Sequence, residues 1–237
     1  MNFVLLDSSE VKISSNVEIG EKANNTVYRV AELIRESYGI DKGIEVFIEK
    51  RIPLSAGLGG GSSNAATAIR ALNRLWSLNM KDEDMHSLAS ELGSDINFFL
   101  YGGTALGEGR GEIVKGIDPI DFDMILLVKP EFGISSSDAY CWLTEYGDSD
   151  NWEKLMATKD SINCFNRLES VIRSKYTEID KIIRYLKENG ARQAILSGSG
   201  STVIGFYDDG QKFDNHFNYY REKGFWCCQT KTKRRMQ

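Results

Sequence analysis

The run PLSAGLGGGSSNAA, residues 53–66, restricts what this 237-residue chain can fold into more than any other stretch. It stands between a strand pattern and a helix pattern. Ahead of it, Ile44, Val46 and Ile48 alternate with Glu45, Phe47 and Glu49, and Pro53 ends the alternation. Behind it, Ala65, Ala66, Ile69, Leu72 and Leu75 recur at helical spacing, with Ser62 or Ser63 available as the helix cap. Glycine lets a backbone approach a ligand closely and adopt positive φ. Successive N–H groups at a helix start, with the positive end of the helix dipole behind them, form an anion site. The Ser62 and Ser63 hydroxyls add contacts for a phosphate or a magnesium ion. A triphosphate requires this chemistry.

Other loops share parts of the pattern. A Walker A loop ends in Gly-Lys-Ser/Thr, and this run contains no lysine. A dinucleotide fingerprint requires GxGxxG and an acid about 20 residues on. Gly57, Gly59 and Ser62 match it only in part, and the acids from Asp82 to Asp84 fall at a helix start. A plain strand–helix connector is the remaining alternative, and four glycines make it entropically costly.

Composition removes several function classes. Hydrophobic residues make up 41% and charged residues 27%, which are globular values. The net charge of −5 argues against a nucleic-acid surface, while a small anion needs only a local cationic or dipolar site. No stretch reaches the roughly 20 apolar residues that span a bilayer. The longest apolar run, Met124 to Val128, is strand-sized, and the start MNFVLLDSSE lacks the pattern of a signal peptide. Cys141, Cys164, Cys227 and Cys228 lack metal-ligand spacing and read as reduced core thiols of a cytoplasmic protein.

Further along, helices are expected after Asn24–Thr26 up to Gly39, from Asp82 to Gly93, over Ser137–Tyr146, Cys164–Ser174 and Tyr176–Asn189, and over Gln211–Lys223. Strands are expected at Met124–Lys129, Ala194–Leu196, Val203–Tyr207 and Phe225–Thr230. Five glycines between Gly102 and Gly111 predict a loop or tight hairpin, and the basic tail KTKRRMQ a frayed end. The pattern changes at Asp118–Pro119, which predicts a domain over 1–120 and another over 121–237. Mixed strands and helices in two blocks give an α+β class, and a crevice between lobes is a common small-molecule site. His86 and His216 lack metal partners at i+3 or i+4 and read as surface residues.

The glycine run resembles the phosphate loop of the GHMP kinases, P-x-x-x-G-L-G-S/G-S/G-A/S, and the resemblance continues along most of the chain. Leu72-Asn-Arg-Leu-Trp76 follows the loop as it does in that family. Gly93-Ser-Asp-Ile-Asn-Phe-Phe99 is similar to the family's G-A/S-D-V-P-F-F. Gly103–Glu112, Lys129–Ser135, the Asn163-x-Phe165-x-x-x-Glu169 spacing and Ser197–Thr202 also match, the last as the glycine-rich third motif. The loop form GLGGGSSNAA is similar to the branch that acts on a cytidine-diphosphate-linked polyol.

The resemblance implies a two-lobe GHMP fold, with an N-terminal lobe like ribosomal protein S5 domain 2 and a ferredoxin-like C-terminal lobe. It implies ATP and Mg²⁺ at Pro53, Leu54, Ser55 and Ala56, through Gly57, Leu58 and Gly59, to Gly60, Gly61, Ser62 and Ser63, with Ser62 reaching the metal. Asp95 matches the family's catalytic aspartate, whose work is to accept the proton of the attacking hydroxyl; read from its neighbours alone it is a helix cap after Gly93. Ser197, Gly198, Ser199 and Gly200 would complete the phosphate enclosure, or form a plain turn between strands. Tyr140 aligns with an aromatic that stacks on the base, or packs as a core ring. No nucleic-acid or membrane partner is implied, and the state is monomer or homodimer.

Two segments of the family pattern are absent: an opening strand with K-I-N-L and a D-G-Y-H segment that holds the base. Lys12-Ile-Ser-Ser15 aligns with a later strand, which makes the chain begin about 40 residues late by motif spacing. The expectations are a different start, or an impaired product that binds nucleotide without turning it over. Another GHMP small-molecule kinase is the further alternative.

Overall fold

A computed structural model describes residues 1–144 and 151–235. The first sheet has three strands in the order β1-β3-β2. They are β1 (Asn2–Leu6), β2 (Val11–Ser15) and β3 (Gly43–Ile48), with β1 antiparallel and β2 parallel to the central β3. Ile44, Val46 and Ile48 are buried on one face of β3, as the alternation requires. The two N-terminal strands are short and only partly buried; the sequence reading placed Lys12–Ser15 on a strand and did not mark β1.

Helix α1 (Thr26–Tyr38) joins β2 to β3. The Asn25 side chain accepts from the N–H groups of Val27 and Tyr28, and Gly39 closes the helix at φ 62°. Val27, Val30, Ala31 and Ile34 are its buried stripe. Helix α2 (Gly60–Leu75) begins earlier than expected: Gly59, not a serine, takes the cap position, at φ 63°. Its buried residues are Ala65, Ala66, Ala68, Ile69 and Leu72, whereas Leu75 is exposed and falls off the stripe. Helix α3 (Asp82–Leu92) starts at Asp82 itself, the residue expected as its cap, with Lys81 at the cap and its N–H donating to Asp84 at 3.0 Å. Helix α4 (Ile96–Tyr101) and the hairpin β4 (Ala105–Glu108) and β5 (Ile113–Gly116) follow, so the glycine-rich stretch is a hairpin.

The second sheet is antiparallel in the order β7-β8-β6-β9. Its strands are β6 (Ile125–Lys129), β7 (Gln193–Leu196), β8 (Val203–Phe206) and β9 (Trp226–Thr230). Helices α5 (Ser136–Cys141), α6 (Asn151–Thr158), α7 (Glu169–Lys175), α8 (Thr177–Glu188) and α9 (Gly210–Glu222) accompany it. The helix expected over Ser137–Tyr146 ends at Cys141, and residues 145 and 146 lie outside the described residues. The helix expected from Cys164 starts only at Glu169, because Asn166 turns its side chain onto the Leu168 N–H at 2.9 Å and competes with a helical start.

The described chain divides into two compact units. The first holds Met1–Pro53, Gly59–Pro119 and Arg235; the second holds Leu54–Leu58 and Ile120–Arg234. Each has its own apolar core, around Ile34, Ile44, Ile69 and Leu72 in the first and Leu126, Ile172, Ile183 and Leu196 in the second. Among the described residues no helix is long and apolar enough to cross a membrane.

Three expectations are corrected. His216 is buried, 5% exposed, with Nδ1 2.7 Å from the Tyr207 hydroxyl; its helix turns it inward onto an aromatic cluster. His86 is half-buried and paired with Asn97. The cysteines are free as expected but none is a core residue: Cys141 is exposed and the others are half-buried. Burial still pushes the Cys164 and Cys227 thiols up to about 11. The tail is fastened as far as Arg235. The Thr232 N–H donates to Phe122 O, Arg234 pairs with Asp121, and the Arg235 guanidinium lies 4.0 Å from the Tyr101 ring centroid.

Candidate active site

In the first unit the site is built on the start of α2. Gly59 turns the chain at positive φ, and its carbonyl accepts the Ser63 N–H at 2.9 Å. The N–H groups of the first helical turn have no intrahelical acceptor by construction of an α-helix. A side chain at Gly59 would press on the Phe99 ring, and one at Gly60 would meet Lys50 Nζ at 2.8 Å. Gly59, at positive φ against the ring, is therefore required, whereas at Gly60 the nearest atom is the end of the flexible Lys50 side chain. The hydroxyls of Ser62 and Ser63 make no hydrogen bond to other described residues.

Lys50, three residues before Pro53, brings its ammonium to this helix start. Burial lowers its pKa, and no carboxylate pairs with it among the described residues. The sequence reading passed over Lys50, because a lysine at the end of a strand looks like an ordinary solubilising residue. The available signal was that the cation missing from inside the loop stands just ahead of it.

Asp95 occupies the cap position of α4 but its carboxylate makes no capping hydrogen bond. It is exposed, and nothing in the described structure binds it. The glycine turn of the β4–β5 hairpin lies beside it: a Cβ on Gly111 would stand 3.9 Å from Asp95 Oδ1. The first unit thus holds an open helix start, a free ammonium and a free carboxylate.

The second unit contains the rest of the loop and the third motif. Ser55 O accepts the Ile134 N–H, Ala56 O accepts the Thr202 N–H, and Gly57 O accepts the Ser197 hydroxyl at 2.9 Å. Any Cβ on Gly57, at φ 69°, would overlap Ser197 O. The serine hydroxyls of the third motif are all engaged. Ser199 pairs with Ser136 at 2.9 Å, and Ser201 donates to Phe132 O at 2.6 Å. Asn166 Nδ2 donates to Leu196 O and Gly198 O, and Lys129 Nζ donates to Pro130 O and Phe132 O. The motif therefore fastens residues 54–58 in place through Ser197 and Thr202.

Tyr140, 60% exposed, is not a core ring. It borders a cleft of about 550 Å³, with Leu143, Phe165, Arg167, Leu196 and Gly198 among the walls. Arg167 is exposed and pairs with no acid among the described residues. An aromatic wall beside a free cation suits a flat ring carrying anionic groups.

Comparison with known proteins shows the family and the fold. Residues 25–103 match the family model "GHMP kinases N terminal domain", and residues 145–224 match "GHMP kinases C terminal". A 4-diphosphocytidyl-2-C-methyl-D-erythritol kinase of Thermodesulfovibrio yellowstonii is 39% identical over 94% of this chain and 82% of its own length. One from Bacillus subtilis is 37% identical over 91% of this chain and 78% of its own. A crystal structure of 4-(cytidine 5'-diphospho)-2C-methyl-D-erythritol kinase superposes with a TM-score of 0.79 at 27% identity, covering 98% of this chain and 85% of that one. A homoserine kinase from Cytophaga hutchinsonii shares the fold, with a TM-score of 0.77 at 19% identity. The chain belongs to the GHMP kinase family, with that family's α+β fold, and is a small-molecule kinase.

Proposed function

We propose that this chain phosphorylates 4-diphosphocytidyl-2-C-methyl-D-erythritol at its 2-hydroxyl with ATP, a step of isoprenoid precursor synthesis. The observation that carries the reading is the free Asp95 carboxylate in the same unit as the open start of α2. A hydroxyl attacking a phosphorus must lose its proton, and an unpaired carboxylate can take it; such a base contributes about 10²–10⁴-fold. The α2 N–H groups and Lys50 bind and orient the phosphates and stabilise charge that develops on them. Residues 53–63 thereby serve as the ATP loop. The Ser62 hydroxyl, unpartnered and of the oxygen type that magnesium prefers, fits a role in holding Mg²⁺, which neutralises phosphate charge when bound. Tyr140 supplies the face on which the cytosine stacks, and Arg167 a cation for the diphosphate. The identity of 39% to a kinase named for this substrate supports the choice within the family.

The test is ADP release by the chain with ATP, Mg²⁺ and 4-diphosphocytidyl-2-C-methyl-D-erythritol, with Asp95→Asn beside it. Substrate-dependent release is expected, falling about 10²–10⁴-fold in the variant while ATP binding persists. Release that is independent of the polyol, or equal in both proteins, would sink the assignment. Turnover with homoserine or mevalonate instead would move it to another member of the family.

A further inference from the structure

We propose that Asn97 is a positioning residue for the Asp95 site, holding the glycine turn of the β4–β5 hairpin against the carboxylate. The proposal rests on the kinase reading for its catalytic consequence and on this chain's geometry for the anchor.

Asn97 is a polar side chain with only 2% of its surface exposed, two residues after Asp95. Burying an amide is costly unless its hydrogen-bonding groups are satisfied. Here they are. Nδ2 donates to Ser90 Oγ at 2.8 Å and to Glu112 O at 2.9 Å. Oδ1 stands 2.8 Å from His86 Nδ1, and since an amide oxygen only accepts, His86 presents an N–H there. The Ser90 hydroxyl donates to His86 O at 2.9 Å, which leaves its lone pairs for Asn97. The amide orientation follows from this closed set of donors and acceptors.

The bond to Glu112 O matters for the site. Glu112 ends a turn containing Gly109 at φ 70° and Gly111 at φ 110°, closed on itself by the Gly111 N–H donating to Glu108 O at 3.0 Å. The Glu112 carboxylate already binds the Arg110 N–H at 2.7 Å, which tightens the turn internally but ties it to nothing else. Asn97 ties it to α3 and α4. At that register Gly111 sits beside Ser94 and Asp95. Were the turn to lift, the Asp95 carboxylate would lose the wall that limits its rotamers and its hydration. The family pattern places a proline at this position, and a proline side chain can make none of these bonds. The anchor is thus a property of this chain.

Two measurements test it. Amide hydrogen exchange of residues 108–113 in Asn97→Ala should quicken at least tenfold, with residues of β6 to β9 unchanged; unaltered exchange at the turn would overturn the anchor. In turnover, Asn97→Ala should lower kcat by about 10-fold to 100-fold, with KM for ATP held. The same substitution made on Asp95→Asn should add nothing, because a residue acting through Asp95 has no effect once that carboxylate is gone. A full multiplicative loss on the Asp95→Asn background would show a merely structural role and sink the proposal. Asn97→Pro, which the first turn of a helix tolerates, repeats both measurements if the alanine variant does not fold. A wild-type chain without polyol-dependent turnover would instead sink the kinase reading, and exchange at the turn would still decide the anchor.

Discussion

The two serine- and glycine-rich runs of this protein look alike in sequence and do opposite work. In residues 197–202 each serine hydroxyl has a protein partner: Ser197 with Gly57 O, Ser199 with Ser136, Ser201 with Phe132 O. In residues 59–63 the serine hydroxyls have none among the described residues, and the helix N–H groups stand open. The difference is set by neighbours. Strands β7 and β8 flank the second run, and its serine hydroxyls reach partners on other segments, at Gly57, Phe132 and Ser136. The first run leaves β3 through Pro53 and ends at a helix start, where nothing among the described residues bonds the Ser62 and Ser63 hydroxyls. An open run is a binding surface; a closed one is a clasp.

The strongest way to break this contrast is Gly57→Ala. The added methyl would overlap Ser197 O at a positive φ, so stability should fall by more than about 3 kcal/mol, read by denaturant unfolding. A loss under about 1 kcal/mol would mean that the clasp yields and does not fix residues 54–58. Next in size is a pair of serine variants. Ser197→Ala leaves the Gly57 carbonyl without its donor and should cost about 1–3 kcal/mol. Ser62→Ala should leave the unfolding midpoint unchanged while weakening turnover at limiting Mg²⁺. If the two variants behaved alike in both assays, the division into clasp and open loop would be wrong.

The smallest expected effect sharpens the comparison from within the second unit. Burial, and then the nearby Lys212, lowers the His216 pKa below its ordinary value near 6.5. The folded state therefore resists a proton that the unfolded chain accepts. The Tyr207 hydroxyl stands 2.7 Å from His216 Nδ1. The stability linked to this group is complete above pH 6.5 and declines as pH falls through that value toward the folded pKa, by at most about 1.4 kcal/mol per pH unit. His216→Gln should flatten the midpoint between pH 7 and 5. An unchanged slope would assign the acid sensitivity to other groups.

Much of this protein was legible in its residues because the signals were local. Alternation marked β3, a capped apolar stripe marked α1, and five glycines marked the β4–β5 hairpin. The elements that escaped were those whose formation depends on partners. β1 is an edge strand with three of its five residues exposed, and it exists because β3 offers it an edge. Asn166 reads as an ordinary helix residue until β7 places the Leu196 and Gly198 carbonyls in its reach. Lys50 looked like surface charge, and its meaning lies in the absence of a side chain at Gly60.

The sequence by itself determined the family, the α+β class and the short list of groups capable of phosphoryl chemistry. Each of those is carried by residue type and spacing along the chain. Only the tertiary structure decided which hydroxyls are free and which are spent, that Asp95 stands at a helix cap without capping, and that Asn97 is buried with every polar group satisfied. Whether a polar group can serve a ligand depends on which donors and acceptors from distant parts of the chain reach it first, and spacing along the chain holds no record of that.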